Sequence, residues 1–487
     1  MHRIRMFSIF RPTRNCSPFR RRPLLRTFSA IAQPRFGYPR LDDIENLEQY
    51  CPGGYHPVSI GDAFAGGRYL VVHKLGFGGS STIWLAQDQH IQEQLGNLVA
   101  LKIMSAEQSS NRSSEIADLY IPQELHKFYV DHPLRETLYV VKDYFWQKGP
   151  NGSHLCLVSQ FSGPSIRSVV ECDSSGRVSG CRRFRGDLAR RLAKQVAGAV
   201  ELMHSAGIVH GDLTTSNILF QVSDEVQKWS ANYVYQTLGS PEMDEVQTLD
   251  GSPPSPFAPQ QCIAPIDISL LSSPWFLKED VILIDFGQSF FANRRPPDHT
   301  PATVFHYLSP EGFFDSEVSF PSDVWALACA IFEIRAGTPL FDPFLSSRDL
   351  ILKQVVETLG KFPEPWWGEW MARKTWFDEA GIPNPVEEDQ EGISFPVVKT
   401  HVRQKLADIG AQDDNSYMNA GAMMERTGTR LGEAEVNLLG DLLEKMLRYR
   451  PEDRISIMEV VRHPWFAYVE EPSSTESKQH LGLGGCL

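Results

Sequence analysis

An α+β fold is predicted for this chain, with strands gathered ahead of residue 163 and helices dominating after it. Three observations carry the expectation. Short apolar runs at 68–74, 75–86, 99–103 and 154–163 are broken by glycine, as strands and their turns are. The stretch 187–206 then places Leu188, Leu192, Val196, Ala199, Val200 and Met203 at helical spacing, and Gly207 follows where glycine tends to end a helix. Beyond it, Ile208-Val209, Ile218-Leu219-Phe220 and Val281-Ile282-Leu283-Ile284 read as short buried strands that anchor polar loops.

Composition narrows the class. The chain has 487 residues, enough for one large two-lobed domain or for two or three ordinary ones, and its 42% hydrophobic content supports a sizeable core. No apolar run is long enough to span a bilayer, so no membrane partner is expected. The eight cysteines are scattered without a C-x-x-C pair and read as free thiols. The formal charge of -13 is uneven: residues 1–40 hold ten arginines and no acid, which leaves 37 basic against 60 acidic side chains elsewhere. An acidic body of this kind argues against nucleic acid as a direct partner; it is compatible with a basic protein substrate, and equally with plain solubility.

In chain order, 1–40 has the composition of a transit peptide or of a basic disordered tail, and is excluded from the fold either way. Residues 41–67 form a turn-rich lead-in, dense in proline and glycine between Tyr50 and Asp62. The glycines of Leu75-Gly76-Phe77-Gly78-Gly79-Ser80-Ser81 let backbone amides approach phosphate closely. Lys102 stands among apolar residues on a short strand, and a buried ammonium needs an anion. His210-Gly211-Asp212-Leu213-Thr214-Thr215-Ser216-Asn217 puts an acid and an amide on one anchored loop, suited to accepting a proton and holding a metal. Asp285, at the end of a buried strand and before Phe286-Gly287, suits Mg²⁺, which takes oxygen ligands and completes its sphere with phosphates.

H-x-D-L-x-x-x-N together with D-F-G resembles the catalytic core of eukaryotic protein kinases. The resemblance implies a bilobal protein kinase fold, with a small, mainly β N-lobe at 68–163 and a larger, mainly α C-lobe at 164–467, followed by a tail at 468–487. It implies ATP and Mg²⁺ as cofactors, Asp212 as proton acceptor, and Asn217 and Asp285 as metal ligands. Lys102 would meet the α- and β-phosphates and pair with a helix glutamate. Glu115 is the choice for that partner, with Glu107 and Glu124 as competitors. Leu75, Gly76, Phe77, Gly78, Gly79, Ser80, Ser81, Ile83, Ala100 and Lys102 would line the nucleotide site. Gln160 and Ser162 would meet the adenine edge by their backbone, with the small Ser159 guarding the back of the pocket.

H-G-D-L with I-D-F-G also resembles small-molecule kinases of the aminoglycoside and choline type. Three further stretches favour the protein kinases: Tyr307-Leu308-Ser309-Pro310-Glu311, Asp323 in Phe320-Pro321-Ser322-Asp323-Val324-Trp325, and Arg450-Pro451-Glu452-Asp453-Arg454. Arg454 would pair with Glu311.

Narrower cues are similar to the SR-protein kinases (SRPK) of the CMGC group. These are the lead-in around Tyr50 to Asp62, Ser81 ahead of Thr82-Ile83-Trp84-Leu85, a spacer-like insert at 221–279 before D-F-G, and a further insert at 361–431. The resemblance implies a serine/threonine kinase, acting as a monomer in cytoplasm and nucleus on basic, arginine/serine-rich substrates such as SR-type splicing factors. A transit peptide at 1–40 would instead imply the mitochondrion. An acidic run, Glu387 to Glu391, lies in the second insert and reads first as a solvated loop.

Three departures stand out. Gly211 replaces the arginine that usually meets an activation-segment phosphate, Thr214 replaces a lysine near the γ-phosphate, and Phe305 and Leu308 stand where this group usually has arginines. They leave an ATP-binding pseudokinase or scaffold as the alternative reading.

Overall fold

Between Ala63 and Gln160, runs of β-branched and aromatic residues alternate with tight turns and fold into one antiparallel sheet. Its strands are β1 (Ala63–Phe64), β2 (Tyr69–Gly78), β3 (Ser81–Asp88), β4 (Leu98–Met104), β5 (Asp143–Gly149) and β6 (Gly152–Gln160), in the spatial order β1-β2-β3-β4-β6-β5. Gly79 and Ser80 form the hairpin tip between β2 and β3. Along β4 only Ala100 and Lys102 escape full burial, so this strand offers the interior one small residue and one cation. The helix α1 (Ala117–Phe128) closes one face of the sheet by packing Ile116 and Leu119 against Met104, Leu155 and Leu157. The computed structural model describes residues 34–91, 96–110, 115–171, 183–297, 299–343, 345–385, 396–411, 413 and 422–470. Most of the basic N-terminal stretch and the acidic run at Glu387 to Glu391 lie outside the described residues.

The C-terminal lobe is built on two long helices. After the short α2 (Ile166–Glu171), α3 (Gly186–Ser205) buries the stripe of Leu188, Leu192, Val196, Val200 and Met203, and Gly207 ends it with φ +77°. Burying each such aliphatic side chain is worth about 1.5–3 kcal/mol. Two antiparallel pairs follow: β7 (Ile208–Val209) with β12 (Phe290–Phe291), and β8 (Ile218–Val222) with β11 (Leu277–Leu283). Between β8 and β11 lie α4 (Asp224–Gln227), α5 (Ala231–Leu238), β9 (Met243–Glu245) and β10 (Gln261–Ile263). The chain goes on through α6 (Pro310–Phe314) to α7 (Phe320–Ala336), which is apolar nearly all round and runs through the middle of the lobe. A capping box of Ser319 and Ser322 starts α7, and Gly337 at φ +78° ends it.

The stretch 221–279, expected as a spacer-like insert, carries regular structure. Residues 221–222 belong to β8 and 277–279 to β11, and the stretch between them carries two helices and a strand pair. The reason is a small core of its own: Phe36, and Leu47, Tyr50 and Tyr55 of the lead-in, pack against Val246, Ala258 and Cys262, so the end of the 1–40 segment, excluded from the fold on its composition, belongs to it through Phe36. That unit grips the sheet. Ile266 N–H donates to the Lys74 carbonyl at 2.9 Å, and Lys74 Nζ donates to the Ile263 carbonyl at 3.0 Å and to Glu45. The Tyr55 hydroxyl donates to the Gly78 carbonyl at 2.7 Å, so the lead-in holds the glycine-rich hairpin directly.

Candidate active site

The loop 210–217 hangs between β7 and β8, and its backbone is tied from below. Asp323, buried in the first turn of α7, accepts from His210 N–H at 2.8 Å and Gly211 N–H at 3.0 Å, while its Oδ2 lies 2.9 Å from His204 Nε2. Ser289 Oγ donates to the His210 carbonyl at 2.8 Å. Gly211 sits at φ +80°, and a Cβ there would come within 2.7 Å of the Gln288 carbonyl oxygen. Both the left-handed backbone and the close approach favour glycine at this point.

Asp212 and Asn217 face each other across this loop. Asn217 Nδ2 donates to the Asp212 carbonyl at 2.8 Å and to its Oδ2 at 3.2 Å, which keeps the amide oxygen for a cation. Asp285 adopts φ +63°, an uncommon backbone for a residue with a side chain. Burial holds the Asp212 carboxyl above its ordinary pKa; Asp285 adds to the rise, and His210, Thr303 and Asn217 oppose it. The Lys102 ammonium holds Asp285 below the usual carboxylate range. The two acids are thus pushed apart, one toward keeping a proton and one toward staying ionised, as befits a proton acceptor beside a metal ligand.

Lys102 Nζ is 2.8 Å from Asp118 Oδ1 and 3.7 Å from Asp285 Oδ1. Burial alone would lower its pKa, but Asp118 and then Asp285 outweigh that and raise it. The partner of Lys102 is therefore Asp118 and not Glu115, which is a correction to the expectation from sequence. Glu115 is exposed and precedes α1, which begins at Ala117, so it lies outside the helical turn that faces β4. Glu124 pairs with Lys127 instead, at 2.7 Å.

A cleft of about 770 Å³ joins these parts. It is lined by Leu75, Phe77, Gly78, Gly79, Ser80, Ser81, Ile83, Ala100, Lys102, Gln160, Ser162 and Asp285 from the expected set. Gly76, expected there, does not line it: it stands between Leu75 and Phe77, which do, on a strand whose successive residues face opposite ways. Asp212 and Asn217 stand outside the lining, next to Ser216, which belongs to it. Asp118, Tyr139, Arg167 and Glu171 also line it, and sequence reasoning missed them. Only for Asp118 was there a signal, an acid in the first turn of a segment whose Ile116 and Leu119 stand at helical spacing.

The donor set also states what cation would fit. Among the described residues no group of three His, Cys, Asp or Glu side chains could hold a metal ion. Asp285 and Asn217 supply one carboxylate and one amide oxygen, too few for a closed protein cage. They suit a hard cation that keeps waters and takes phosphate oxygens for the rest of its sphere.

Below the cleft, a second cavity of about 510 Å³ is lined by Arg167, Ser216, Thr303, Phe305, His306 and Tyr307 among others. Thr303 Oγ1 donates to the Gly211 carbonyl at 2.7 Å, next to Asp212 in the chain. Phe305 stacks with Phe313, ring centroids 5.6 Å apart, so apolar surface replaces the expected arginines here. Under this wall Arg454 grips Glu311 with two bonds of 2.6 Å, both side chains being almost wholly buried.

The two-lobed fold and the cleft that joins Lys102, Asp118 and Asp285 to a glycine-rich hairpin are those of a nucleotide-dependent phosphotransferase, and comparison with known families agrees. A profile described as the protein kinase domain matches residues 69–230 and 271–466, skipping the middle of the insert, so the chain belongs to the protein kinase family. Enzymes of this family use ATP and a divalent metal. Among individual proteins it is similar to protein kinase dsk1 of Schizosaccharomyces pombe, 26% identical over 66% of this chain and 71% of the relative. It is likewise similar to serine/threonine-protein kinase SRPK of Physarum polycephalum, 24% identical over 87% of this chain and 92% of the other. Human SRSF protein kinase 3 is 33% identical over a shorter stretch, 38% of this chain and 30% of that protein.

The reassigned pair yields a discriminating expectation. Asp118→Asn keeps the shape but removes the charge that holds Lys102, and kcat/KM should fall about 10²-fold, since misplacing a positioning group carries a cost of that order. Glu115→Gln should stay within about twofold of wild type, as an exposed substitution away from such features does. Steady-state kinetics on both proteins checks this, and a larger loss in the Glu115 variant would return the role to Glu115.

Proposed function

We propose that the protein transfers the γ-phosphate of ATP, bound as its Mg²⁺ complex, to serine or threonine hydroxyls of arginine/serine-rich proteins. One observation carries the chemistry: Lys102, Asp118 and Asp285 converge in a single cleft, which the loop bearing Asp212 and Asn217 meets at Ser216. In this reading Lys102 holds the α- and β-phosphates and Asp118 holds Lys102. Asn217 and Asp285 bind the metal, which when present neutralises charge on the phosphates. Asp212 orients the acceptor hydroxyl and takes its proton, with Thr303 bracing the loop at the Gly211 carbonyl. Lacking a lysine at Thr214, the site gives up one charge on the developing anion and with it some rate.

A scaffold that merely bound ATP would have no use for this whole set, which disfavours the pseudokinase alternative. The substrate class rests on the relatives, one of which is named for SRSF proteins, and on the acidic body of 60 acids against 37 bases beyond residue 40. We place the protein in cytoplasm and nucleus; none of the relatives named above is named as mitochondrial.

The test is phosphate transfer to an arginine/serine peptide across a salt series. The screening length falls from about 30 Å at 0.01 M salt to about 8 Å at 0.15 M. The Michaelis constant for the peptide should therefore rise steeply over that range, while that for ATP, held by short contacts, changes much less. Equal use of acidic and basic peptides with no salt effect would leave a protein kinase without this substrate class. Nucleotide binding with no transfer to any protein would leave the scaffold.

A further inference from the structure

Ser159 is small, and a small residue at the back of an adenine site leaves room for a ligand to reach past it. A second side chain reaches that room. Ser159 lies opposite Ala100 in the β4–β6 ladder, so both side chains share the face that lines the cleft. Tyr139, from the segment between α1 and β5, lines the same cleft, and two contacts fix it. Its backbone N–H donates to the Leu283 carbonyl at 3.1 Å, and its ring packs against Phe286 with centroids 6.3 Å apart. It stands near enough to Lys102, Asp118 and Asp285 to feel their charges. Tyr139 thus adds an aromatic ring, anchored at its backbone and on its face, to the part of the cleft that holds Ser159 and the Lys102–Asp118 pair. Burial raises the Tyr139 pKa, so its hydroxyl stays neutral.

We propose that Tyr139, and not Ser159, sets the depth of the nucleotide site: its ring closes the space behind Ser159 and excludes adenine nucleotides that carry a bulky substituent on N6. The proposal rests on the reading in which Gln160 and Ser162 meet the adenine edge. A filled wall makes the site selective for unsubstituted adenine. It also joins nucleotide recognition to the catalytic end of the cleft, because the residue that stops the base side also packs on Phe286, next to Asp285.

The experiment is equilibrium binding of ADP and of N6-benzyl-ADP, by calorimetry, to the full chain and three variants. Wild type should bind ADP and bind N6-benzyl-ADP about tenfold or more weakly, the scale of forcing a group into filled space. Tyr139→Phe keeps the ring and should behave as wild type. Tyr139→Ala should bring the two affinities to within about threefold, whereas Ser159→Gly should keep the wild-type gap. If Tyr139→Ala proves unstable, Tyr139→Val shortens the side chain while keeping it apolar, and the same narrowing is expected. The proposal is overturned if wild type binds both nucleotides equally, if the gap closes in Ser159→Gly, or if it persists in the folded Tyr139→Ala or Tyr139→Val protein. Wild type that binds neither nucleotide would overturn the adenine-site reading itself and this proposal with it, and the ADP titration reports that outcome separately.

Discussion

Asp212→Asn is expected to lower kcat by about 10³-fold, within the range that a positioned general base contributes. Asparagine has the same outline and still offers an oxygen to Asn217 Nδ2, which now sits 3.2 Å from Asp212 Oδ2. The loop itself is held by Asp323, Ser289 and Thr303 through backbone atoms that the substitution leaves alone. What disappears is the acceptor for the hydroxyl proton. Lys102, Asp118 and Asp285 keep their contacts, so nucleotide affinity should stay within about threefold, because positioning by the remaining groups survives the loss of the base. Single-turnover transfer to peptide, with ADP binding measured on the same preparation, separates the two effects. Wild-type turnover in the variant would remove Asp212 from the mechanism. Loss of binding in step with turnover would show that it holds the nucleotide site together and does not act on the hydroxyl.

The second large effect concerns stability. Arg454→Met should destabilise the protein by about 3–5 kcal/mol, the usual result of removing one partner of a buried ion pair. Among the described residues Glu311 would keep only Ser322 Oγ as a donor, at 2.9 Å, and its carboxyl would be left without its arginine in a dry interior. Arg454 also donates to the carbonyls of Arg448, Tyr449 and Pro321, and those acceptors would be orphaned together with the carboxylate. Adding Glu311→Gln to the same protein removes the stranded charge and should recover part of the loss, so the two substitutions are not additive. Urea unfolding of the single and double variants checks this. A single variant within about 1 kcal/mol of wild type would mean that the pair contributes no more than an exposed one. The wall carrying Thr303 and Phe305 follows α6 into place, so peptide binding should weaken before the fold is lost.

Much of this protein is determined by local sequence. The apolar stripe from Leu188 to Met203 makes α3 because every member falls on one face, and Gly207 ends it because it takes a left-handed backbone without strain. Gly211 is likewise a local necessity, set by its positive φ and by the Gln288 carbonyl beside it. The loop 210–217 and Asp285 were legible because buried runs flank them on both sides, and a polar loop between two buried strands has few places to go. The partnership of Arg454 and Glu311 was legible only through resemblance, since 143 residues separate them and no local rule joins them.

Other features waited for tertiary structure. Which acid meets Lys102 depends on where α1 begins against β4. Packing of Ile116 and Leu119 on Met104, Leu155 and Leu157 seats its first turn there with Asp118 inside it, while Glu115, three residues earlier, precedes the helix and is exposed. The order within the 221–279 stretch came from a core shared with the lead-in some 200 residues earlier, which no window of local sequence contains. Ser159 alone does not define the depth of the nucleotide site, because a pocket is bounded by what fills the space behind a residue. In the proposal above that is Tyr139, brought in from another segment and tied to Leu283 and Phe286. Local sequence determines the short-range conformations and the polarity of each face; where two such faces meet, and which side chain fills the space between them, is decided by long-range packing.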